Sequence, residues 1–150
     1  MKVKELMTKK VITVHPEENV DRVFFLFHFE RIRHIPVLEK GKVVGIISDR
    51  DIKKILGPRK ETLEKPDGTS ISISTRRVRN IMRRGVVTIG PKDKASDAAA
   101  IMVKRKIGAL PVIDKNGKLA GIITASDILK AFVKLVNEVD AANKVKKSSS

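Results

Sequence analysis

The chain has 150 residues, of which 41% are hydrophobic, and this size and composition fit one compact domain with a substantial core. It contains no cysteine, which excludes a disulfide framework, a thiolate nucleophile and a thiolate metal site. The start lacks the apolar stretch of a signal peptide, and no run is long enough to span a membrane, so we expect a cytoplasmic protein. The net charge of +15 favours a polyanionic partner, although a lysine-rich solvated surface explains it as well.

One pattern occurs twice in the chain. Leu6-Met7 returns as Ile81-Met82, and Ile35-Pro36-Val37 returns as Leu110-Pro111-Val112, both 75 residues later (81 − 6). Gly45-Ile46-Ile47-Ser48 with Asp51 returns as Gly121-Ile122-Ile123-Thr124 with Asp127, now 76 residues later (121 − 45). The additional residue lies at Asn116-Gly117, a dipeptide that favours a hairpin because both residues tolerate positive φ. The chain therefore contains two copies of one repeat, and the second copy has a one-residue insertion in a turn.

Each copy is expected to form strand, helix, strand, hairpin, strand and helix. In the first copy these are strand Val11–Val14, a helix that residues 16–19 lead into and that runs to about Ile32, strands His34–Leu38 and Val43–Ile47, and helix Asp49–Leu56. In the second they are strand Val86–Ile89, helix Ala95–Lys106, strands Ala109–Ile113 and Leu119–Ile123, and a longer amphipathic helix from Ser126. Between the copies, Gly57-Pro58 should end a helix, Pro66-Asp67-Gly68 should form a turn, and 69–74 could add an edge strand.

The polar pairs Ser48/Asp51 and Thr124/Asp127 stand where a strand passes into a helix. A hydroxyl followed three residues later by a carboxylate forms a capping box, which satisfies free amides at a helix start. The same side chains could instead bind a ligand, and the residues alone favour neither interpretation.

In order and in kind, these motifs resemble a tandem pair of CBS domains, the cystathionine-β-synthase-type repeats of a Bateman module. The resemblance implies an α/β fold in which two β-α-β-β-α repeats pack sheet to sheet with pseudo-two-fold symmetry. It divides the chain into a first repeat (1–57), a linker (58–77), a second repeat (78–132) and a helical extension with a tail (133–150). It also implies a non-catalytic, stand-alone regulatory module without a required cofactor, binding AMP, ADP, ATP or S-adenosylmethionine in two clefts between the repeats.

The same resemblance assigns site residues. For the cleft on Asp51 these are Ile12, Arg33, His34, Ile35, Ser48, Arg50, Asp51, Val87 and Thr88. For the cleft on Asp127 they are Thr13, Gly108, Ala109, Leu110, Thr124 and Asp127. The carboxylate would accept hydrogen bonds from the ribose hydroxyls, and the strand residues would face the adenine. The alternative is that these strand residues have no role in binding.

The two copies differ in positive charge. Arg33-His34 stands where the second copy has Gly108-Ala109, and Arg50 adds another cation, so the cleft on Asp51 suits a charged nucleotide better. Arg33 could equally be a solvated surface cation. The three histidines, His15, His28 and His34, lack the spacing of a metal site.

Partners are suggested by two further features. Phe25 and Phe29 lie one helical turn apart among four phenylalanines, which predicts a homodimer interface unless this is simply a thick core helix. The basic clusters Arg76-Arg77-Val78-Arg79 and Arg83-Arg84 make nucleic-acid binding the alternative function, against which the 3% aromatic content argues. An effector protein is expected but unidentified. No catalytic triad, Walker loop or dinucleotide-binding glycine pattern is present, so no enzyme is expected.

Overall fold

The computed structural model describes residues 1–56 and 76–148, with a mixed α/β architecture. Its helices are α1 (Val3–Leu6), α2 (Val20–Phe29), α3 (Asp49–Leu56), α4 (Ala95–Arg105) and α5 (Ala125–Ser148), with a 3-10 helix at Val78–Asn80. Its strands are β1 (His34–Glu39), β2 (Lys42–Ser48), β3 (Ala109–Ile113) and β4 (Leu119–Thr124). The expected turn at 66–68 and edge strand at 69–74 lie outside the described residues.

Both predicted hairpins are confirmed, each as a two-stranded sheet. In the first, His34 pairs with Ser48 and Glu39 with Lys42 across the antiparallel ladder. Both residues of its turn, Lys40 and Gly41, have positive φ. A two-residue hairpin turn needs this conformation to match the twist of the two strands. In the second, Gly117 has positive φ but Asn116 does not, contrary to expectation. The reason is the additional residue, because a longer loop built on an ordinary turn needs only one left-handed position.

The expected strands Val11–Val14 and Val86–Ile89 are reduced to single parallel bridges, Val14 with Val37 and Ile89 with Val112. Val14 donates to the carbonyl of Pro36 and accepts from the amide of Leu38. Extending the ladder to residues before Val14 would need an N–H from Pro36. Extending it to residues after Val14 would need an N–H from Pro16. Proline has no N–H, so the ladder stops on both sides. Pro111 and Pro91 have the same effect on the bridge at Ile89.

Helix α2 ends at Phe29, three residues before the predicted end near Ile32. Arg31 takes a left-handed conformation with φ of 53°, which a right-handed helix cannot continue through. Lys106, at the matching position of the second copy, has φ of 55° and caps α4. At the other end of the chain, α5 is a 24-residue helix that continues through Ser148.

Two compact units divide the chain, and neither is a continuous repeat. One contains Met1–Lys9, Thr88–Asn116 and Ala120–Ser150, and the other contains Lys10–Val87 with Gly117–Leu119. The opening segment of the chain therefore packs in the unit built mainly from the second copy, and the opening segment of the second copy, through Val87, packs in the unit built mainly from the first.

Matched hydrogen bonds hold these two exchanged segments. Val3 donates its amide to Asp93 O at 2.8 Å in one unit, and Val78 donates to Glu18 O at 2.9 Å in the other. Both valines are completely buried. Val78 lies in a hydrophobic core with Val23, Ile35, Ile47 and other apolar residues of the first copy.

Glycine is required where each exchanged segment pairs with a strand. A Cβ on Gly45 would lie 2.6 Å from Sδ of Met82, and a Cβ on Gly121 would lie 2.7 Å from the carbonyl oxygen of Thr8. The repeated glycine thus allows close approach of a neighbouring chain segment.

Candidate functional site

The junction of β2 and α3 holds Ser48 and Asp51 in reciprocal hydrogen bonds. The Ser48 amide donates to Asp51 Oδ2 at 3.2 Å, and the Asp51 amide donates to Ser48 Oγ at 3.1 Å. This is the capping box that the sequence suggested, closed at the first turn of α3. Asp51 is buried, with 9% of its surface exposed, so the cap fixes a carboxylate in a mostly enclosed position.

The junction of β4 and α5 repeats this arrangement. The Thr124 amide donates to Asp127 Oδ2 at 2.9 Å, the Thr124 hydroxyl donates to the same oxygen at 3.0 Å, and the Asp127 amide reaches Thr124 Oγ1 at 3.3 Å. Both bonds that reach the carboxylate use one of its oxygens. Among the described residues, no donor contacts Oδ1 of Asp127.

Asp51, unlike Asp127, also has a cationic partner. Arg83 Nε donates to Asp51 Oδ1 at 3.0 Å, and Arg83 Nη2 lies 3.0 Å from the same oxygen. Backbone bonds in both directions between Arg83 and Ile46 of β2 place this arginine beside the junction. In the sequence, Arg83 stands in a basic cluster, and no local pattern points to its contact with Asp51.

Thr8 occupies the equivalent position in the other unit. Its amide donates to Ile122 O at 2.9 Å and its carbonyl accepts from the Ile122 amide at 3.0 Å, as Arg83 does with Ile46. A repeat offset of 75 residues aligns Thr8 with Arg83 (83 − 8), so this difference was visible in the sequence. It makes the two capped carboxylates chemically unequal.

The model for the CBS domain matches residues 3–57 and 78–134, which is most of the chain. The chain belongs to the CBS domain family. It is 37% identical over 130 residues to the uncharacterised protein MJ1225 of Methanocaldococcus jannaschii, spanning 87% of this chain but 46% of that protein. It is 36% identical over 155 residues to protein MJ1426 of the same organism, spanning 89% of this chain and 92% of the relative.

A solved structure of similar fold is the CBS domain pair of protein MJ0100, in complex with 5′-methylthioadenosine and S-adenosyl-L-methionine. It is 28% identical, with a TM-score of 0.75 over 89% of this chain and 97% of the solved one. The expectation of two CBS repeats in a mixed α/β fold is confirmed.

Most residues assigned to the Asp51 site of this CBS pair lie in one unit. Ser48 is half-buried, Arg33 and Arg50 are exposed, and Ile12 packs partly against the core. Ile35 is completely buried, so a ligand would meet its backbone more readily than its side chain. Val87 belongs to this unit, whereas Thr88 belongs to the other.

The residues assigned to the Asp127 site divide in the same way. Gly108, Ala109, Leu110 and Thr124 share a unit with Asp127, and Thr13 does not. The Leu110 side chain is fully buried. The pairings of Thr13 with Asp127 and of Thr88 with Asp51 join different units and stay predictions.

His34 lies opposite Ser48 on the β1–β2 ladder, within the electrostatic reach of the first site. Burial lowers the pKa of its imidazole below the ordinary value, the nearby carboxylates of Asp49 and Asp51 oppose this, and Arg33 adds to it. A neutral imidazole is therefore favoured beside the ion pair of Asp51 and Arg83.

The basic residues around the start of the second repeat are largely engaged inside their own unit. Arg77 Nη1 donates to Glu17 O at 2.8 Å and to Asn19 Oδ1 at 3.3 Å, and Arg79 forms an ion pair with the Glu17 carboxylate. Arg83 is held by Asp51. The contacts of Arg77 and Arg79 occupy cations that the nucleic-acid alternative requires for phosphate binding.

The aromatic helix has the predicted stack. Phe25 and Phe29 have ring centroids 4.3 Å apart and expose 55% and 62% of their surface, while Phe27 packs against the core. His28 meets Phe29 edge-on at 4.9 Å, and His15 Nδ1 accepts from the Glu17 amide, so both have local contacts. Within 1–56 and 76–148, no three potential metal ligands cluster, and no helix is long and apolar enough to cross a membrane.

Proposed function

We propose that this CBS pair is a non-catalytic regulatory module that binds adenosyl compounds through the carboxylates of Asp51 and Asp127. The observation that carries the proposal is the capped carboxylate at the same strand–helix junction of both repeats. Each cap holds the carboxylate in place before a ligand arrives, which reduces the ordering cost of binding. The adenosyl ligands of the similar MJ0100 pair support this choice of ligand class.

A fixed carboxylate is a suitable acceptor for the two neighbouring hydroxyls of a ribose. Each charge-assisted hydrogen bond contributes roughly 1.5–3 kcal/mol, enough to select ribose over deoxyribose. Neither site needs a metal or a cofactor for this binding, because the carboxylate is the acceptor itself.

The two sites are proposed to prefer different adenosyl compounds. The first has Arg33 and Arg50 in the same unit as its carboxylate and His34 opposite Ser48, so it suits a nucleotide such as AMP, ADP or ATP. The second has Gly108 and Ala109 at the matching positions and suits a less charged compound such as S-adenosylmethionine.

The regulatory output is proposed to pass through a homodimer in the cytoplasm. The exposed stack of Phe25 and Phe29 is an apolar surface that a second copy would cover. Ligand binding would shift the population of dimer arrangements, and an effector protein would respond to that shift. A nucleic-acid function is not proposed, because Arg77 and Arg79 are already paired within the protein.

Calorimetric titration of the purified protein with AMP, ATP and S-adenosylmethionine tests the proposal. Asp51→Ala should abolish the heat from the nucleotide site, and Asp127→Ala should abolish the heat from the other site. Circular dichroism would establish that each variant is folded. Absence of saturable binding by all three compounds, in folded and ligand-free wild type, would contradict the proposal.

A further inference from the structure

The Asp51 carboxylate has little capacity left for a sugar. A carboxylate offers about four acceptor positions, two on each oxygen. Arg83 Nε and Nη2 both address Oδ1, and the Ser48 amide addresses Oδ2. About one position on Oδ2 then remains. A ribose with two neighbouring hydroxyls therefore cannot bind both to Asp51 unless Arg83 gives up at least one bond.

The Asp127 carboxylate has no such obstacle. Both donors that reach it, the Thr124 amide and hydroxyl, address Oδ2. Its Oδ1 keeps both acceptor positions as far as the described residues go, and the residue equivalent to Arg83 is the uncharged Thr8. Two ribose hydroxyls could bind there without displacing a cation.

Arg83 can leave Asp51 only as a charged group. Its backbone is fixed to Ile46 by two hydrogen bonds, while its side chain is 54% exposed. The guanidinium does not lose its proton, so the sugar displaces it at the cost of the ion pair unless a new anionic partner replaces Asp51. An uncharged nucleoside offers none, whereas a nucleotide phosphate is a matched partner for the arginine fork.

We infer that Arg83 determines the specificity of the Asp51 site by making binding of the sugar depend on a phosphate in the same ligand. The inference rests on the proposed function, since it takes Asp51 as the ribose acceptor. In the free protein, Arg83 occupies the acceptor. In the complex, it binds the phosphate, so the site rejects adenosine and accepts AMP.

The test compares AMP with adenosine by calorimetry in the full chain, with Asp127→Ala present throughout so that only the first site is measured. Arg83→Met should strengthen adenosine binding and weaken AMP binding. The dissociation constant of adenosine divided by that of AMP should therefore fall about tenfold or more. Arg84→Met removes the same charge from the adjacent exposed residue and should leave the ratio unchanged. An unchanged ratio in Arg83→Met, or an equal fall in Arg84→Met, would overturn the inference.

The reverse exchange provides a second measurement. Thr8→Arg in an Asp51→Ala background places a guanidinium at the equivalent position of the other site. It should raise the preference for AMP over adenosine there, and no rise would count against the inference.

The outcomes also separate this inference from the proposed function. Binding of AMP that requires Asp51 but ignores Arg83→Met overturns the role of Arg83 alone. Silence of both ligands in the Asp127→Ala parent and in its Arg83→Met variant overturns both for the Asp51 site. Adenosine binding that appears only in Arg83→Met supports both.

Discussion

The exchange of segments between the two units is tested by shortening Val78 to alanine. Val78 has no exposed surface and packs in the core of the unit built from the first repeat, although it is the first residue of the second repeat in sequence. The change removes two methyl groups, each contributing about 0.8 kcal/mol on transfer from water. The residual cavity adds to this, so the free energy of unfolding should fall by about 2–3 kcal/mol.

Hydrogen exchange with mass spectrometry locates the effect. Val78→Ala should accelerate exchange in β1 and β2, and the matched change Val3→Ala should accelerate it in β3 and β4. Urea unfolding of both variants measures the free energies. Faster exchange in β3 and β4 on changing Val78, or a loss below about 0.5 kcal/mol, which is usual for surface positions, would refute the reasoning.

Three further predictions follow from single contacts. Gly121→Ala places a Cβ 2.7 Å from the Thr8 carbonyl oxygen, so urea unfolding should show a loss of about 1–3 kcal/mol, and an unchanged midpoint would contradict that close approach. Burial lowers the pKa of His34 in the folded state, so the unfolded state takes up this proton at a higher pH than the folded state does. The free energy of unfolding should therefore fall as the pH drops below the ordinary value of 6.5. His34→Gln should reduce this fall, and identical pH profiles of the two proteins would contradict the prediction. Phe25→Glu should convert the proposed homodimer to a monomer in sedimentation, and an unchanged size would count against that interface.

Local patterns were sufficient for the hairpins and for most helices. Strand-length apolar runs on either side of a turn specify β1 with β2 and β3 with β4, because side-chain alternation and turn chemistry act over a few residues. The capping boxes at Asp51 and Asp127 were visible for the same reason.

Features that depend on distant residues were not predictable. Val11–Val14 looks like a strand, and only its neighbour in space, Pro36, shows why the ladder cannot extend. Arg31 carries no sequence signal for the left-handed conformation that ends α2. The partnership of Arg83 with Asp51 arises from the exchanged segment, which the order of the repeats does not reveal.

The central claim, that Asp51 and Asp127 bind the ribose of an adenosyl ligand, is tested most directly by removing the ribose hydroxyls. Affinities of AMP and 2′,3′-dideoxy-AMP would be measured for the wild type and for the variant with both aspartates changed to alanine. We predict that loss of the hydroxyls weakens binding to the wild type by about tenfold or more, and that neither nucleotide shows saturable binding to the double variant. Equal affinity of the two nucleotides for the wild type would contradict the account.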